Sequence, residues 1–385
     1  MLHGNWNYPT SISVGVGCVN EIPQVCQELG IQSPLLVTDQ GLAHLPVVQA
    51  ILKDCHNAGL TIHLFSKVQS NPTGENVDDG VKAFNAGRHD AVIAFGGGSS
   101  IDTAKAIALI AKQIHSLWDF EDVGDNWKRA ITELIAPIIA IPTTAGTGSE
   151  VGRASVITDQ EEQVKKIIFH PKMLPLKVLL DPNVTLTLPA EITAATGMDA
   201  LSHNLEALCS PSYHPMAEGI ALEGIRLIKE YLPIAYHNGL DIDARTQMLV
   251  ASSMGATSFQ KGLGGMHAIA HTLGALYNKH HGLLNAILMP YVMVANRREI
   301  ELKMTRVGSY IALRQANFDG VLEWILQLRK DLGIPHTLSA IGIDTLQREL
   351  VGKMSASDAS ASSNPIKFNA EQYSIIFANA VKGTL

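Results

Sequence analysis

The first half of the chain alternates short apolar runs with segments that carry apolar residues at helical spacing. The apolar runs are PLLVTD at 34–39, TIHLF at 61–65, AVIAF at 91–95 and the start of IIAIPTTAGTGSE at 138–150. Two further strands are predicted in VGRASVITD and KVLLDP, within residues 151–182. Because these runs show little polar alternation and helical segments separate them, they predict a mostly parallel sheet covered on both faces.

After Asp181 and Pro182 the pattern changes, and helical periodicity broken by glycine and proline continues to the C-terminus. A chain of 385 residues is also longer than a domain with a single hydrophobic core usually is. We therefore predict an α/β domain over residues 1–182 and an all-helical domain over residues 183–385. One biased stretch, SASDASASS at 355–363, predicts a solvated loop between helices.

Composition and charge narrow the class of function. The net charge of −7 and the absence of basic runs argue against nucleic acid and anionic membranes as partners. The four cysteines are scattered without a CxxC pair, which favours reduced thiols over disulfides or a cysteine zinc site. No apolar run approaches the ~20 residues of a membrane span, and the N-terminus lacks a signal-peptide pattern. We expect a cytoplasmic protein that acts on small molecules.

The glycine run GGGSS at 96–100 lies where a predicted strand ends and a helix begins. Such a loop lets backbone N–H groups and a helix N-terminus approach a pyrophosphate. The run does not match the GxGxxG fingerprint, and a tight turn that needs glycine is the alternative. Asp39 ends an early strand, where a carboxylate binds ribose hydroxyls and repels a 2′-phosphate, which favours NAD over NADP. The alternative for Asp39 is a helix N-cap.

Two histidine-bearing segments predict a metal site. His267 and His271 in HAIAH are four residues apart and share one helix face, and Asp199 and His203 repeat this spacing in TGMDALSHNLEAL. One carboxylate and several imidazoles suit a first-row divalent metal. Each histidine alone is more often an ordinary polar residue, but the joint pattern favours a site.

Spacing alone leaves open the roles of three nearby histidines, His271, His280 and His281. His271 is a candidate fifth ligand, proton relay or orienting partner of the ligands. His280 and His281 lie about 100° apart on any helix, so both do not easily bind one ion.

Five motifs occur in order along the chain. They are GGGSSIDTAK at 96–105, IPTTAGTGSE at 141–150, LLDPNVTLTLP at 179–189, TGMDALSHNLEAL at 196–208 and the segment with HAIAH and HHGLLNA. Over nearly its whole length the chain thus resembles the iron-containing (group III) alcohol dehydrogenase family. The resemblance implies an N-terminal dinucleotide-binding α/β domain and an all-helical C-terminal domain, with the active site in the cleft between them.

The resemblance also implies roles for individual residues. The metal ligands would be Asp199, His203, His267 and His281, while His271 would lie near the nicotinamide as a catalytic proton relay. The cofactor-binding positions would be Asp39, Asn71, Gly97, Gly98, Ser99, Asp102, Thr143, Thr144 and Thr147. A lysine close to the active site would be Lys165 or its neighbour Lys166, and the distance to Pro171 favours Lys165.

The implied function is a metal-dependent, NAD(H)-linked alcohol dehydrogenase or aldehyde reductase, with hydride transfer between a metal-bound alkoxide and nicotinamide. Fe(II) is the expected metal and Zn(II) the alternative, because the same donor set accepts both. The expected partners are a small alcohol or aldehyde and a second copy of the chain in a homodimer. Lys261, Thr272 and His280 depart from the usual family pattern beside the substrate space, which leaves the substrate open.

Other functions remain as alternatives. A metal-independent keto-acid reductase resembling maleylacetate reductase would need an arginine cluster, and the helical domain offers few candidates. An NAD- and metal-dependent lyase resembling dehydroquinate synthase would need several basic residues, whereas the metal motifs have only Lys261 and Lys279 nearby. A non-enzymatic metal- or nucleotide-binding protein is the third alternative.

Overall fold

The computed structural model of the protein describes residues 10–162 and 164–385. The chain forms two compact units. The sheet unit contains residues 10–144 and 148–187, and the helical unit contains residues 145–147 and 188–385. The predicted domains are 1–182 and 183–385. They place residues 145–147 in the α/β domain, whereas in the structure these residues belong to the helical unit.

The sheet unit is built around a six-stranded parallel sheet with the strand order β1-β8-β5-β4-β2-β3. The strands of the chain are β1 Ser11–Val14, β2 Pro34–Asp39, β3 His63–Val68, β4 Ala91–Gly96, β5 Ile138–Pro142, β6 Ala154–Asp159, β7 Val164–Phe169 and β8 Lys177–Leu180. Every residue of the central strands β4 and β5 is buried, as expected for a sheet covered on both faces. The predicted parallel sheet is confirmed.

A separate hairpin corrects one part of the sequence prediction. The run at 151–159 predicts a strand like the others, but β6 pairs with β7, antiparallel, in a separate two-stranded sheet. Along β6, buried and half-buried positions alternate, which is typical of a strand with one covered face. Sequence analysis does not predict β7 or the short edge strand β1.

Four helices connect the strands of the parallel sheet: α1 Ile22–Glu28, α2 Pro46–Asn57, α3 Gly74–Ala86 and α4 Gly98–Ile110. The side chain of Thr73 accepts the N–H of Asn76 and forms a capping box that starts α3. Helix α4 is buried from Ser100 to Ile110, because most of its residues are apolar or small and its two charged residues, Asp102 and Lys105, pair with each other at 3.5 Å. It begins at Gly98, so Gly97 alone separates α4 from Gly96, the last residue of β4.

The helical unit contains eight helices: α5 Ala190–Cys209, α6 Pro215–His237, α7 Ile242–Ser258, α8 Gly265–Tyr277, α9 His281–Tyr310, α10 Phe318–Asp331, α11 Arg348–Ser357 and α12 Ala370–Lys382. Helix α5 is buried from Thr193 to Leu208 and packs at the centre of this unit. The predicted all-helical region is confirmed. Within residues 10–162 and 164–385, no helix combines the length and the apolar character that crossing a membrane requires.

The serine-rich stretch 355–363 is less exposed than predicted. It forms the end of α11 and a following helical turn, with Ser355 and Ser360 buried. The side chain of Asp358 accepts the N–H of Ser360 at 2.8 Å and is itself largely covered. The prediction of a solvated loop holds only for the exposed Ser357, Ala359 and Ser362, because local hydrogen bonds satisfy the polar groups that are covered.

Candidate active site

A cluster of buried ligand-type side chains lies in the helical unit. Helix α5 presents Asp199 and His203 on one face, and α8 contributes His267 near its first turn. The ligand-type atoms of these three residues all lie within 4.8 Å of one another. His281, the first residue of α9, places Nε2 3.7 Å from Oδ1 of Asp199. The structure thus brings all four predicted ligands together, and the donor set suits a divalent first-row metal.

A close approach of two helices brings His281 into this cluster. A Cβ atom on the next residue, Gly282, would lie 2.4 Å from the carbonyl oxygen of Ala195 and 3.1 Å from Cβ of Asp199. Only glycine permits this spacing between the start of α9 and the middle of α5.

Each of three predicted ligands has a hydrogen-bond partner outside the set. The carbonyl oxygen of Gly146 lies 3.2 Å from Nδ1 of His203. A carboxylate oxygen of Glu206 lies 2.7 Å from Nδ1 of His267, and Asn285 donates from Nδ2 to Asp199 at 2.8 Å. Such partners fix ring orientation and leave Nε2 of each imidazole for an ion.

Burial and charge act differently on the two buried imidazoles. Burial lowers the pKa of His203 to about 4, which keeps this ring neutral and able to ligate. Burial also lowers the pKa of His267, but the hydrogen bond and charge of Glu206, together with the charges of Asp199 and Asp358, outweigh it and raise the pKa overall. A metal ion at His267 therefore competes with a proton.

The other two histidines of the region take different positions. The ring of His271 stacks on that of His281 at 5.2 Å, and its Nδ1 lies 3.0 Å from Oδ2 of Asp358. His280 is the N-cap of α9 and accepts the N–H of Leu283 through Nδ1 at 3.4 Å. This cap gives His280 a local role in starting the helix.

The glycine run of the sheet unit forms a sharp turn. Gly96 has φ +144°, and a Cβ there would lie 2.6 Å from the hydroxyl oxygen of Ser100. Gly97 is the N-cap of α4, so no cap side chain competes for the N–H groups of the first turn, which begins at Gly98. A Cβ on Gly97 would come within 3.3 Å of the Thr144 hydroxyl. This backbone fits a bound phosphate group.

Several other predicted cofactor residues lie at the same edge of the sheet. Asp39 ends β2, the strand beside β4, and its Oδ1 accepts the N–H of Leu42 at 3.0 Å in the turn that follows. The N-cap of the next helix, α2, is Leu45, so Asp39 is not the helix N-cap of the alternative prediction. Thr143 follows β5 and donates its N–H to the carbonyl of Gly96 at 3.0 Å. Ser99 donates its hydroxyl to the carbonyl of Ser70.

Lys165 and Asn71 form a polar pair in the sheet unit. Nζ of Lys165 donates to Oδ1 of Asn71 at 2.9 Å, and burial lowers the pKa of this lysine. Lys166 instead pairs with Asp159 at 2.8 Å and Glu162 at 3.0 Å. Because Lys166 is held in ion pairs with two carboxylates, these contacts favour Lys165 as the predicted lysine close to the active site.

Two predicted cofactor residues occupy other settings. The carboxylate of Asp102 accepts the hydroxyl of Ser149 and the N–H of Val156, and lies 3.5 Å from buried Lys105. It therefore links α4 to β6, and its contact with cofactor stays a prediction. Thr147 belongs to the helical unit.

Sequence analysis does not predict a role in the site for four residues: Glu206, Gly282, Asn285 and Asp358. Glu206 and Asn285 each had a signal, because they follow His203 and His281 by about one helical turn. Asp358 had none, since 87 residues separate it from His271.

Comparison with known proteins agrees with this geometry. The family model described as "Iron-containing alcohol dehydrogenase" matches residues 9–182, and "Fe-containing alcohol dehydrogenase family, C-terminal" matches residues 193–381. The NAD-dependent methanol dehydrogenase of Bacillus methanolicus is 34% identical over 98% of this chain and 100% of its own length. The 4-hydroxybutyrate dehydrogenase of Cupriavidus necator is 37% identical over 95% of this chain and 97% of its own.

A solved structure of a 1,3-propanediol oxidoreductase has the same fold. It superposes with a TM-score of 0.93 at 33% identity, covering 98% of this chain and 100% of that chain. Since both family models and near full-length relatives match, the chain belongs to the iron-containing alcohol dehydrogenase family.

Proposed function

We propose that this protein is an NAD-linked, metal-dependent dehydrogenase that interconverts small alcohols and aldehydes. The observation that carries the proposal is the meeting of three buried ligand-type residues, Asp199, His203 and His267, with the half-buried His281. A full set of ligands favours this function over the metal-independent keto-acid reductase. The names of its relatives, such as NAD-dependent methanol dehydrogenase, support the same chemistry.

The residues of the cluster fit a divalent ion. Nδ2 of Asn285 lies 2.8 Å from Asp199, 3.2 Å from His267 and 3.1 Å from His281, so three ligand-type atoms converge on one electropositive group. Among the described residues, no hydrogen-bond partner reaches the buried Oδ1 of Asn285. When bound, a divalent metal supplies Lewis-acid polarisation of an alcohol or carbonyl oxygen. We propose Fe(II), with Zn(II) as the alternative.

His271 is proposed to move the proton of the reaction. Its Nδ1 faces the carboxylate of Asp358 at 3.0 Å, which leaves Nε2 to take a proton from the alcohol oxygen or return it. An imidazole is suited to this task because its ordinary pKa lies near neutral pH. Lys165 remains a proposed catalytic residue of the sheet unit.

NAD is proposed to bind the sheet unit through its phosphate loop. The N–H groups after Gly97 would hold the pyrophosphate, and Asp39 would accept the ribose hydroxyls. Thr143 donates its N–H to Gly96 of this loop, and Asn71 follows Ser70, whose carbonyl accepts the hydroxyl of Ser99. These positions support the predicted contacts of Thr143 and Asn71 with the cofactor.

The substrate is proposed to be a short alcohol, a diol or the corresponding aldehyde. Relatives are named for methanol, 4-hydroxybutyrate and 1,3-propanediol, which are all small primary alcohols. A screen of such compounds with NAD, after anaerobic reconstitution with Fe(II) or Zn(II), would identify the preferred one. Bound metal and NAD without any turnover would favour a non-enzymatic binding protein.

Two histidine variants test the roles within the site. His267→Ala should lose metal and activity together, because it removes a ligand. His271→Ala should keep its metal and lose turnover, because it removes only the relay. Metal analysis beside NADH formation separates these outcomes, and a fully active His267→Ala enzyme would contradict the proposed function.

We also propose that two copies of the chain form a homodimer along the edge of the parallel sheet. Strand β1 lies at this edge, and Val14, Val16 and Leu176 around it are about half exposed. Sedimentation of the wild type and of Val16→Asp would test the pairing, since a buried aspartate should dissociate a dimer.

The proposed compartment is the reducing cytoplasm. The four cysteines are free thiols, and burial raises the pKa of Cys26 to about 12, which keeps this thiol protonated. Fractionation of the native cells would test the location, and recovery from an oxidising compartment would contradict it.

A further inference from the structure

We infer that Glu206 is a positioning residue of the metal centre, which holds His267 in the tautomer that directs Nε2 toward the ion. The inference rests on the proposed metal site and adds to it a residue outside the predicted ligands. Glu206 lies on α5 about one turn after His203 and two turns after Asp199, so the three side chains share one helix face.

The carboxylate of Glu206 accepts three N–H groups. Oε2 accepts from the backbone of Gly264 at 2.8 Å and from Nδ1 of His267 at 2.7 Å. Oε1 accepts from the backbone of Met266 at 2.6 Å. Because both oxygens face donors, the side chain acts as an ionised acceptor. Its negative charge also lies at the N-terminus of α8, where the helix dipole stabilises it.

Two contacts on opposite sides of the His267 ring indicate the same tautomer. The bond to Glu206 requires the proton on Nδ1, which leaves a lone pair on Nε2. On the other side, the amide Nδ2 of Asn285 lies 3.2 Å from Nε2. A donor group facing Nε2 fits an unprotonated nitrogen, which is the form that binds a metal.

The charge of Glu206 also bears on the ion itself. Asp199 and Glu206 together carry two negative charges next to the cluster, which balance one divalent cation. Removal of the Glu206 charge would leave the loaded site with an excess positive charge in a buried region, at a cost in binding. His203, in contrast, has the neutral carbonyl of Gly146 as its partner.

The alternative is that Glu206 only caps α8. Asn364 provides a matched control, because its Oδ1 accepts the N–H of Gly265 at 2.9 Å in the same first turn. The other side-chain hydrogen bonds of Asn364 go to Asn296 and Ile366 rather than to an imidazole. Loss of Asn364 therefore removes a cap of α8 and leaves the contact to His267 in place.

The test compares Glu206→Gln, Asn364→Ala and wild type as full-length metal-free proteins. Zn(II) and Co(II) affinities are measured at one pH by competition with a chelator, and thermal unfolding of the metal-free proteins is measured in parallel. We expect Glu206→Gln to bind both ions roughly 10- to 100-fold more weakly. The glutamine amide can donate to Nδ1, which favours the tautomer with its proton on Nε2.

Asn364→Ala should lower the melting temperature and keep the wild-type ion affinity. Unchanged affinity in Glu206→Gln would overturn the role of Glu206 and leave the metal site intact. A wild type that binds neither ion would instead refute the proposed site. If Glu206→Gln does not fold, ring-nitrogen NMR of Zn(II)-loaded wild type decides: a proton on Nδ1 of His267 supports the inference, and its absence overturns it.

Discussion

His271 and Asp358 form a largely buried imidazole–carboxylate pair, with Nδ1 of the histidine 3.0 Å from Oδ2 of the aspartate. Burial raises the pKa of Asp358, but the charge and hydrogen bond of His271 and the bonds from Ser360 outweigh it, and the pKa falls below its usual value. The aspartate thus stays ionised and orients the ring. The proposed proton relay therefore has a partner from a segment that looks like an ordinary serine-rich loop.

Asp358→Asn should reduce turnover on the order of 100-fold and leave the metal in place. The amide is neutral and can donate to Nδ1, so it no longer fixes the tautomer that exposes the Nε2 lone pair. Steady-state NADH formation beside metal analysis measures both effects. Ser362→Ala, an exposed change in the same segment, should behave as wild type, and full turnover in Asp358→Asn would contradict the orienting role.

The parts of the fold that follow from local sequence could be predicted. Strands β2 and β4 are continuous apolar runs, and their burial follows directly from that pattern. Strand β7 contains Lys165 and Lys166, and its pairing with β6 depends on contacts that a local pattern does not encode. For the same reason, the sequence of β6 predicts a strand of the main sheet, although β6 forms a separate two-stranded sheet with β7.

The residues of the site also differ in whether local spacing or tertiary packing brings them together. Asp199 and His203 share a helix face, so their spacing alone brings them together. The approach of His281 depends instead on the packing of α9 against α5, which requires glycine at position 282. Asp358 reaches His271 only through the tertiary fold, and nothing in a local pattern could indicate it.

Gly96→Ala should weaken NAD binding and leave the metal affinity unchanged. The residue has φ +144°, and a Cβ would lie 2.6 Å from the Ser100 hydroxyl, so alanine must distort the turn that starts α4. The strain should lower the free energy of unfolding by about 1–3 kcal/mol. Calorimetric titration with NAD measures the first effect, and wild-type NAD affinity would contradict the proposed phosphate loop.

Lys261 is a buried cation beside the C-terminus of α5. Its Nζ donates to the carbonyls of Leu208, at 3.1 Å, and Ser210, and lies 3.3 Å from Oε1 of Glu218. Burial lowers the pKa of Lys261 to about 8, and the nearby charge of Lys303 acts in the same direction. The unfolded chain keeps the ordinary lysine pKa, so between the two values the unfolded state binds more protons. The free energy of unfolding therefore rises with pH in this window.

Lys261→Met should remove this pH dependence. The difference in unfolding free energy, wild type minus variant, should rise by up to about 3 kcal/mol as the pH increases from about 8 to 10.5. Urea unfolding at a series of pH values measures the difference. Lys353→Met, at an exposed position, is the control and should follow the wild-type curve. Parallel curves for Lys261→Met and wild type would contradict the lowered pKa.

Gly282→Ala should weaken metal binding without removing any predicted ligand. The added Cβ would lie 2.4 Å from the backbone oxygen of Ala195, which cannot yield as a flexible side chain can, so the first turn of α9 must shift. His281 would then move away from Asp199, and the affinity for Zn(II) should fall roughly tenfold or more. Overpacking should also cost about 1–3 kcal/mol of stability. Gly219→Ala is the control, because residue 219 is an exposed position of helix α6 and nothing lies within 4 Å of the added Cβ. It should gain about 0.5–1 kcal/mol and keep its metal affinity, whereas wild-type Zn(II) affinity in Gly282→Ala would show that His281 does not need this helix contact.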